Sequence, residues 1–389
     1  MRRLRYAHGS AALIASCISL FAHAQSSVTL FGVVDNGIGY TSNQKGHSNI
    51  QIRGGQLNAD KFGLQGKEDI GSGTAVIFKL EQGYDINTGA QAVSGLAFNR
   101  QANVGITNDH YGTLSAGRQY TPYFFLLGTM APAAYLSGSA AHPGDITNLD
   151  ADFRVNNSVS YMSPTWSGFQ FGAMYAFGGT PGSVSSGNTF DAAVKYANGP
   201  FSAGVGFHRM KNATGTTNVW AGTSSLPTSA INAGYVSADT VQIIGVAAQY
   251  STGNVNVGAN YANVQYRPNG SSSFTDTATF NVVGTYVNWL VRPDISLNAA
   301  YSYTAARAAN NITDPARYHQ ISATELYLLS KRTAIYFVQS YQLATGKTLG
   351  SGSITNPISA VASVGDAQNG APSSNGHQFL AILGIRSFF

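Results

Sequence analysis

Charge is scarce in this sequence: Asp, Glu, Lys and Arg make up 10% of its 389 residues, against about 25% in an ordinary soluble domain. A disordered chain needs high charge and few aromatics, and 11% aromatic residues exclude it. Stretches rich in Ala, Leu, Glu and Lys at a 3.6-residue period are missing, which excludes a helix-rich enzyme. Heptads and a collagen repeat are missing too. There is one cysteine, Cys17. Beyond the first residues no uninterrupted apolar run is long enough to cross a bilayer as a helix, which takes about 20 residues. Ser, Thr, Asn, Gln and 44 Gly fill the space, and the mean hydropathy is -0.05. That mixture points to a large all-β protein.

Residues 1–24 have the layout of a secretory signal. Arg2, Arg3 and Arg5 precede a short apolar core from Ser10 to Ala22, and Ala22-His23-Ala24 offers a small-x-small cleavage site before Gln25. A lipoprotein site at Ile14-Ala15-Ser16-Cys17 is the competing reading, but the apolar run continues past Cys17 and the better cleavage site follows it. Cleavage after Ala24 removes the only cysteine, and with it any disulfide, thiolate metal site or Cys nucleophile. It also removes three arginines, so the formal charge of +5 falls to +2 and nucleic-acid binding loses its main argument. Residues 25–389 are then one domain.

Within that domain, segments of about ten residues alternate in character. Val76, Phe78, Leu80 and Tyr84 share one face and Lys79 and Glu81 the other; Phe379, Ala381, Leu383, Ile385 and Phe389 are in phase against Gln378 and Arg386. This is the period of two of strands with chemically different faces. Tight turns at 70–73, 108–112, 198–200 and 251–254, and near Pro164, Pro293 and 330–332, alternate with long connections. Those lie near 41–56, 87–97, 123–153, 180–188, 212–238, 268–276, 306–317 and 347–375. Seven turns and eight loops separate sixteen strands. Short connections at one end and long ones at the other distinguish a barrel inserted into a membrane from one side from a soluble sandwich. A closed sheet also pairs every backbone group in lipid. Trp166 and Trp289 lie beside tight turns, where an interfacial belt belongs; Trp220, in a long loop, reads as ordinary packing.

The first strand, QSSVTLFGVVDNGIGY, and the blocks KFGLQGKEDIGSGTAVIFKLEQGYDINTG (61–89), FNRQANVGITNDHYGTLSAGRQYTP (98–122), RVNNSVSYMSP (154–164) and the terminal FLAILGIRSFF resemble the Gram-negative general porins, especially the trimeric β-proteobacterial type. The resemblance runs from the first strand to the last. It implies a sixteen-stranded antiparallel transmembrane β-barrel with short periplasmic turns, long extracellular loops and a third loop folded into the lumen. It also implies a homotrimer in an outer membrane, in contact with lipid and lipopolysaccharide and inserted by the barrel-assembly machinery.

The third loop is the stretch from about Tyr123 to Phe153, which carries Asp145, Asp150 and Asp152 and no Lys or Arg. These are the candidates for the acidic side of a constriction. The enterobacterial branch has Pro-Glu-Phe-Gly here, where this chain has only Pro143-Gly144-Asp145, so that motif does not carry over. Parity sets Lys61, Gln65 and Lys67 opposite Phe62 and Leu64, towards the lumen, and Lys79 also lies on a polar face. By resemblance Lys61 stands where related porins place a constriction Arg, and Arg100 and Arg154 match two further positions of the basic wall. Arg118 shares its phase with Leu114, Ala116 and Tyr120 and should point outward, where the family buries such a charge at the trimer interface. Phe389 closes the last strand as the family's carboxyl-terminal assembly signal does.

The function expected is passive diffusion of small hydrophilic solutes and ions across a transverse field. A weak anion preference is expected because lumenal Lys and Arg are easier to identify than acids. No cofactor, metal or catalytic residue is expected. The histidines at 47, 110, 142, 208, 319 and 377 show no metal-ligand spacing, and there is no GxSxG elbow. A channel specific for one solute, such as a sugar or an organic acid, is the closer rival. It would carry a lumenal aromatic ladder, whereas Tyr and Phe here mostly follow the apolar face, with Tyr84 and Phe124 open. A plugged importer would need an extra amino-terminal domain. An adhesin role for the long loops is the remaining alternative.

Overall fold

A computed structural model describes residues 27–152, 154–212, 229–351, 356–367 and 370–389. The signal segment 1–24 with Cys17, Trp220 and much of the connection 212–238 lie outside the described residues.

The strands are β1 (Ser27–Gln44), β2 (His47–Gly54), β3 (Lys61–Gly71), β4 (Thr74–Gly83), β5 (Gln101–Asn108), β6 (Gly112–Gln119), β7 (Val155–Met162) and β8 (Phe169–Ala176). They continue with β9 (Thr189–Asn198), β10 (Phe201–Lys211), β11 (Thr240–Thr252), β12 (Val255–Arg267), β13 (Ala278–Arg292) and β14 (Ile295–Ala306). After β15 (Arg317–Leu328) and β16 (Thr333–Thr345), a short ladder of β17 (Lys347–Leu349) and β18 (Pro357–Ser359) precedes β19 (His377–Phe388). Every neighbouring pair is antiparallel, and β1 closes the ring on β19 from Val33↔Phe388 to Thr41↔Leu380. The lower part of β1 pairs with β3 and its upper part with β2, so β2 and β3 are two halves of one barrel strand. The result is a closed barrel of sixteen strands. Closure leaves no unpaired edge to face hydrocarbon.

The first connection differs from expectation. Instead of a loop over 41–56, the chain reverses at Lys45-Gly46, with φ of 52° and 101°. That positive pair suits the twist of a two-residue hairpin. Ile50 and Ile52 then point outward, 72% and 63% exposed. The irregular piece is the inward step at 55–60. Asp35 holds it by accepting the N–H groups of Leu57 (2.9 Å) and Asn58 (2.6 Å), while Asp60 accepts that of Asp35 (2.7 Å).

In the alternation of β19, Phe379, Leu383 and Ile385 are exposed on the outer face and Gln378, Ile382 and Arg386 are buried inside. The expectation that aromatics stay on the lipid face fails for Tyr266, Phe280, Tyr286, Tyr318 and Tyr336, which are buried on the inner face. The reason is that loops fill much of the lumen. The helix α1 (Pro122–Leu127) and the turns after it seat Tyr123, Leu127, Met130 and Ile146 in one apolar cluster with Val241, Val264 and Phe280 of the wall. Tyr235, Phe274, Ile312, Leu349 and Ala362 from other long connections join that cluster. The wall receives α1 on small residues: the Tyr123 ring lies where a side chain at Gly206 or Gly245 would be, and Leu127 and Met130 cover Gly204.

Candidate functional site: the charged constriction

The loop filling displaces the open passage towards β1–β7. Its narrow part is a cavity of about 420 Å³, which continues through Gly55, Ala59, Arg100 and Arg154 into a vestibule of about 600 Å³ towards the long loops. Lys61, Lys79, Arg100 and Arg154 all line the narrow part. Lys61 opens β3 and Lys79 lies on the neighbouring β4, paired with Gln65, while Arg100 and Arg154 end the connections that lead into β5 and β7. Glu81, which alternation puts beside Lys79, lies among them. Its carboxylate accepts from Arg100 Nε at 2.8 Å and stands 3.4 Å from Lys79 Nζ. Arg100 and Arg154 flank the Tyr120 ring, with guanidinium carbons 5.9 and 5.1 Å from its centre. Among the described residues Lys61 forms no ion pair. Lys67, six residues further along β3 on the same face, is exposed and does not line the narrow part.

Of the third-loop acids, Asp150 and Asp152 line the passage and Asp145 does not. Asp145 is 1% exposed and turned into its own loop, where it accepts the N–H groups of Leu149 (3.0 Å), Asp150 (3.1 Å) and Asp152 (3.1 Å). Asp145 therefore shapes the turn that presents the other two. A further acid comes from far along the chain: Asp366, in the last loop, lines the same cavity. The last loop is tied to the third by Gly144 N–H to Gly365 O (2.9 Å), Asp366 N–H to Gly138 O (3.1 Å) and Ala367 N–H to Asp152 Oδ2 (3.2 Å). Gln320 of β15 donates to the carbonyls of Ser139 (3.1 Å) and Ala141 (2.8 Å) and so fixes the junction to the wall. Burial, reinforced by the neighbouring carboxylates and Asp366 above all, raises Asp150 and Asp152 well above the usual carboxylate range. Asp145 is raised by burial as well.

Asp366, Glu81 and Arg53, which lines the vestibule, were not singled out from sequence. For Asp366 the available signal was the apolar run Ile358, Val361, Val364 in a supposedly solvent-facing loop. The pair His208–Asp191 was also missed. It is fully buried, with Nδ1 to Oδ2 at 2.8 Å, and Asp191 Oδ1 accepts the Tyr123 N–H at 2.8 Å. The pair anchors the start of the third loop to the wall. Among the described residues no group of three His, Cys, Asp or Glu could hold a metal ion.

Arg118 sits on the outer face, where its Nε donates to Asn99 O (2.7 Å) and its Nη1 to Asn156 Oδ1 (2.6 Å). Phe389 pairs its backbone with Gly32 at 3.0 and 3.1 Å, and its ring covers that glycine.

A family model described as Gram-negative porin matches residues 9–347. The chain is 30% identical over 214 residues to an outer membrane porin protein of Bordetella pertussis, a match covering 49% of this chain and 55% of the relative. It is 33% identical over 212 residues to outer membrane porin protein 32 of Delftia acidovorans, covering 50% of this chain and 57% of the relative. In these matches the chain spans a little over half the length of its curated relatives. Against a major outer membrane protein P.IB of Neisseria lactamica it is 27% identical over 336 residues, 84% of this chain and 91% of that one. Among solved structures, an anion-selective porin from Comamonas acidovorans superposes with a TM-score of 0.69 at 23% identity, over 94% of this chain and all of that one (100%). The trimer form of the Vibrio cholerae outer membrane protein OmpT gives 0.63 at 16% identity, over 94% of this chain and 99% of that one. At these identities the superpositions speak for the fold alone.

Proposed function

Because the chain belongs to the Gram-negative porin family, we propose that it forms a passive, water-filled channel across the outer membrane for small hydrophilic solutes and ions, with a weak preference for anions. The observation that carries this reading is a pair of adjoining cavities inside a closed barrel, the narrow one lined by Lys61, Lys79, Arg100 and Arg154 together with Asp150, Asp152 and Asp366. Opposed charges across a narrow aqueous gap align polar solutes and exclude large or apolar ones by size and dehydration. Glu81 brings the carboxylates to four against four cations. Burial and the neighbouring carboxylates work against the charged form of Asp150 and Asp152, which tilts the lining towards anions.

The acting unit in this reading is a homotrimer, with the outward Arg118 at a subunit contact. Phe389, locked onto the first strand, serves as the signal read by the assembly machinery, and the outer belt meets lipid and lipopolysaccharide. The channel needs no cofactor and performs no reaction; the buried His–Asp pair holds a loop and has no nucleophile assigned to it. Planar-bilayer recording of the purified protein tests the reading. Conductance closing in three steps and a reversal potential of anionic sign under a salt gradient are expected. Absence of ion-conducting steps would defeat the channel, and clear cation selectivity would defeat the charge preference.

A further inference from the structure

The constriction carries a feature that ion sieving does not use. Helix α1 turns Tyr123, Leu126 and Leu127 to the wall and leaves Phe124 and Phe125 facing the passage. Phe125 is 44% exposed although it lies inside the barrel. With Tyr120 the two phenylalanines form a triangle of rings, with centroids 5.4, 5.9 and 5.8 Å apart. Tyr120 joins this patch to the basic wall, since Arg154 donates to its hydroxyl at 3.3 Å. Aromatic faces and cations thus line the same narrow chamber, and Lys61, which also lines it, forms no ion pair among the described residues. Rings grouped at the water of a pore offer a face on which the apolar part of a solute can pack.

We propose that the narrow chamber is a binding site for small aromatic carboxylates. The carboxylate is taken by Lys61, and the ring packs on Phe125 and Phe124. This rests on the channel reading and names a favoured solute class within it. The volume of about 420 Å³ admits a benzoate-sized molecule with its first waters, at the lower end of ordinary ligand pockets. The attraction is weak enough to release the solute. Contact with two rings favours an aromatic over an aliphatic acid without locking it in place.

The test is block of chloride current through the purified protein in planar bilayers by benzoate, with acetate as the ringless probe. Benzoate is expected to half-block at a concentration about ten-fold below acetate. Phe125→Ala should bring that ratio close to one, and Lys61→Gln should weaken block by both anions. If Phe125→Ala does not assemble, Phe125→Leu keeps much of the volume, lacks the ring and should still lose most of the preference. Equal block by benzoate and acetate, or a preference that survives both Phe125 substitutions, overturns the site while leaving the channel intact. A protein that conducts no ions overturns the channel reading itself.

Discussion

The seat of the third loop predicts how a single methyl group should change the pore. Gly206 faces the lumen on β10 under the ring of Tyr123, and a Cβ built there stands 2.5 Å from Tyr123 Cδ2 and 3.2 Å from the Ala193 Cβ. Carbon atoms need about 3.5–4.0 Å, so Gly206→Ala must move the ring by about 1 Å. The wall is a hydrogen-bonded ladder on both sides, to β9 and β11, and does not yield easily. Tyr123 is fully buried and its backbone is tied to Asp191, so the strain is passed to α1. Overpacking of this kind costs about 1–3 kcal/mol. The helix should move off the wall towards Lys61, narrowing the passage and lowering single-channel conductance. Tyr123→Ala in the same chain removes the collision, so the double variant should recover part of the conductance lost by Gly206→Ala. A Gly206→Ala protein with wild-type conductance would refute the reasoning, and so would a double variant whose losses simply add.

Acidity should tune the charge preference. Asp150 and Asp152 are raised by burial and by the nearby carboxylate of Asp366, so their neutral form prevails further up the pH scale than the usual value of about 3.9. Lowering pH from neutrality should therefore strengthen anion preference, read as a larger reversal potential. Linkage has the same sign: the contact between the third and last loops is most stable below about pH 3.9 and weakens as pH rises through the raised values, seen as faster proteolysis of those loops at alkaline pH. Lys61→Gln should shift the reversal potential towards zero, because it removes one of the four cations that line the narrow passage. Arg118→Ala should cost about 1–3 kcal/mol through its lost charged hydrogen bonds. If Arg118 also meets a neighbouring subunit, the temperature at which oligomers dissociate on a gel should fall more than the unfolding temperature of the barrel.

Strand parity carried much of this structure. The phases around Lys79 and Glu81 and along 379–385 are those of the barrel. The strand count survived the misplaced first loop because β2 and β3 stack end to end on β1 as one barrel strand. Parity also brought Lys61 and Lys79 to the lumen. Arg100 and Arg154 precede their strands, where alternation does not reach, and family resemblance was what pointed to them. What parity does not report is what covers an inner face. Asp145 and Asp150 are five residues apart in a loop without a repeat, and only the turn that Asp145 caps decides which of them sees the passage. Asp366 is more than 200 residues from Asp150, and no local pattern links them.

The buried inner aromatics explain why few charges suffice for a filter. On the side of β11–β16 the upper lumen is an apolar core shared by wall and loops, with Val241, Val264, Phe280 and Tyr318 directed at the loops and away from water. Hydrogen bonds from Gln320, Ser340 and Gln342 help to hold the loops there. Without the apolar seat, however, the loops would lose the burial that keeps them against the wall, and more of the cross-section would need ionic lining to select solutes. Filling that side leaves an eccentric passage whose narrow walls are a few residues wide. Within it Lys61, Lys79, Arg100 and Arg154 face a handful of carboxylates at short range, where a low-dielectric surround makes each charge count for more than it would in open water. The scarcity of charge in the sequence and the strength of the local field are therefore consequences of one arrangement: apolar inner positions recruit the loops, and the loops concentrate the remaining charges at one gap.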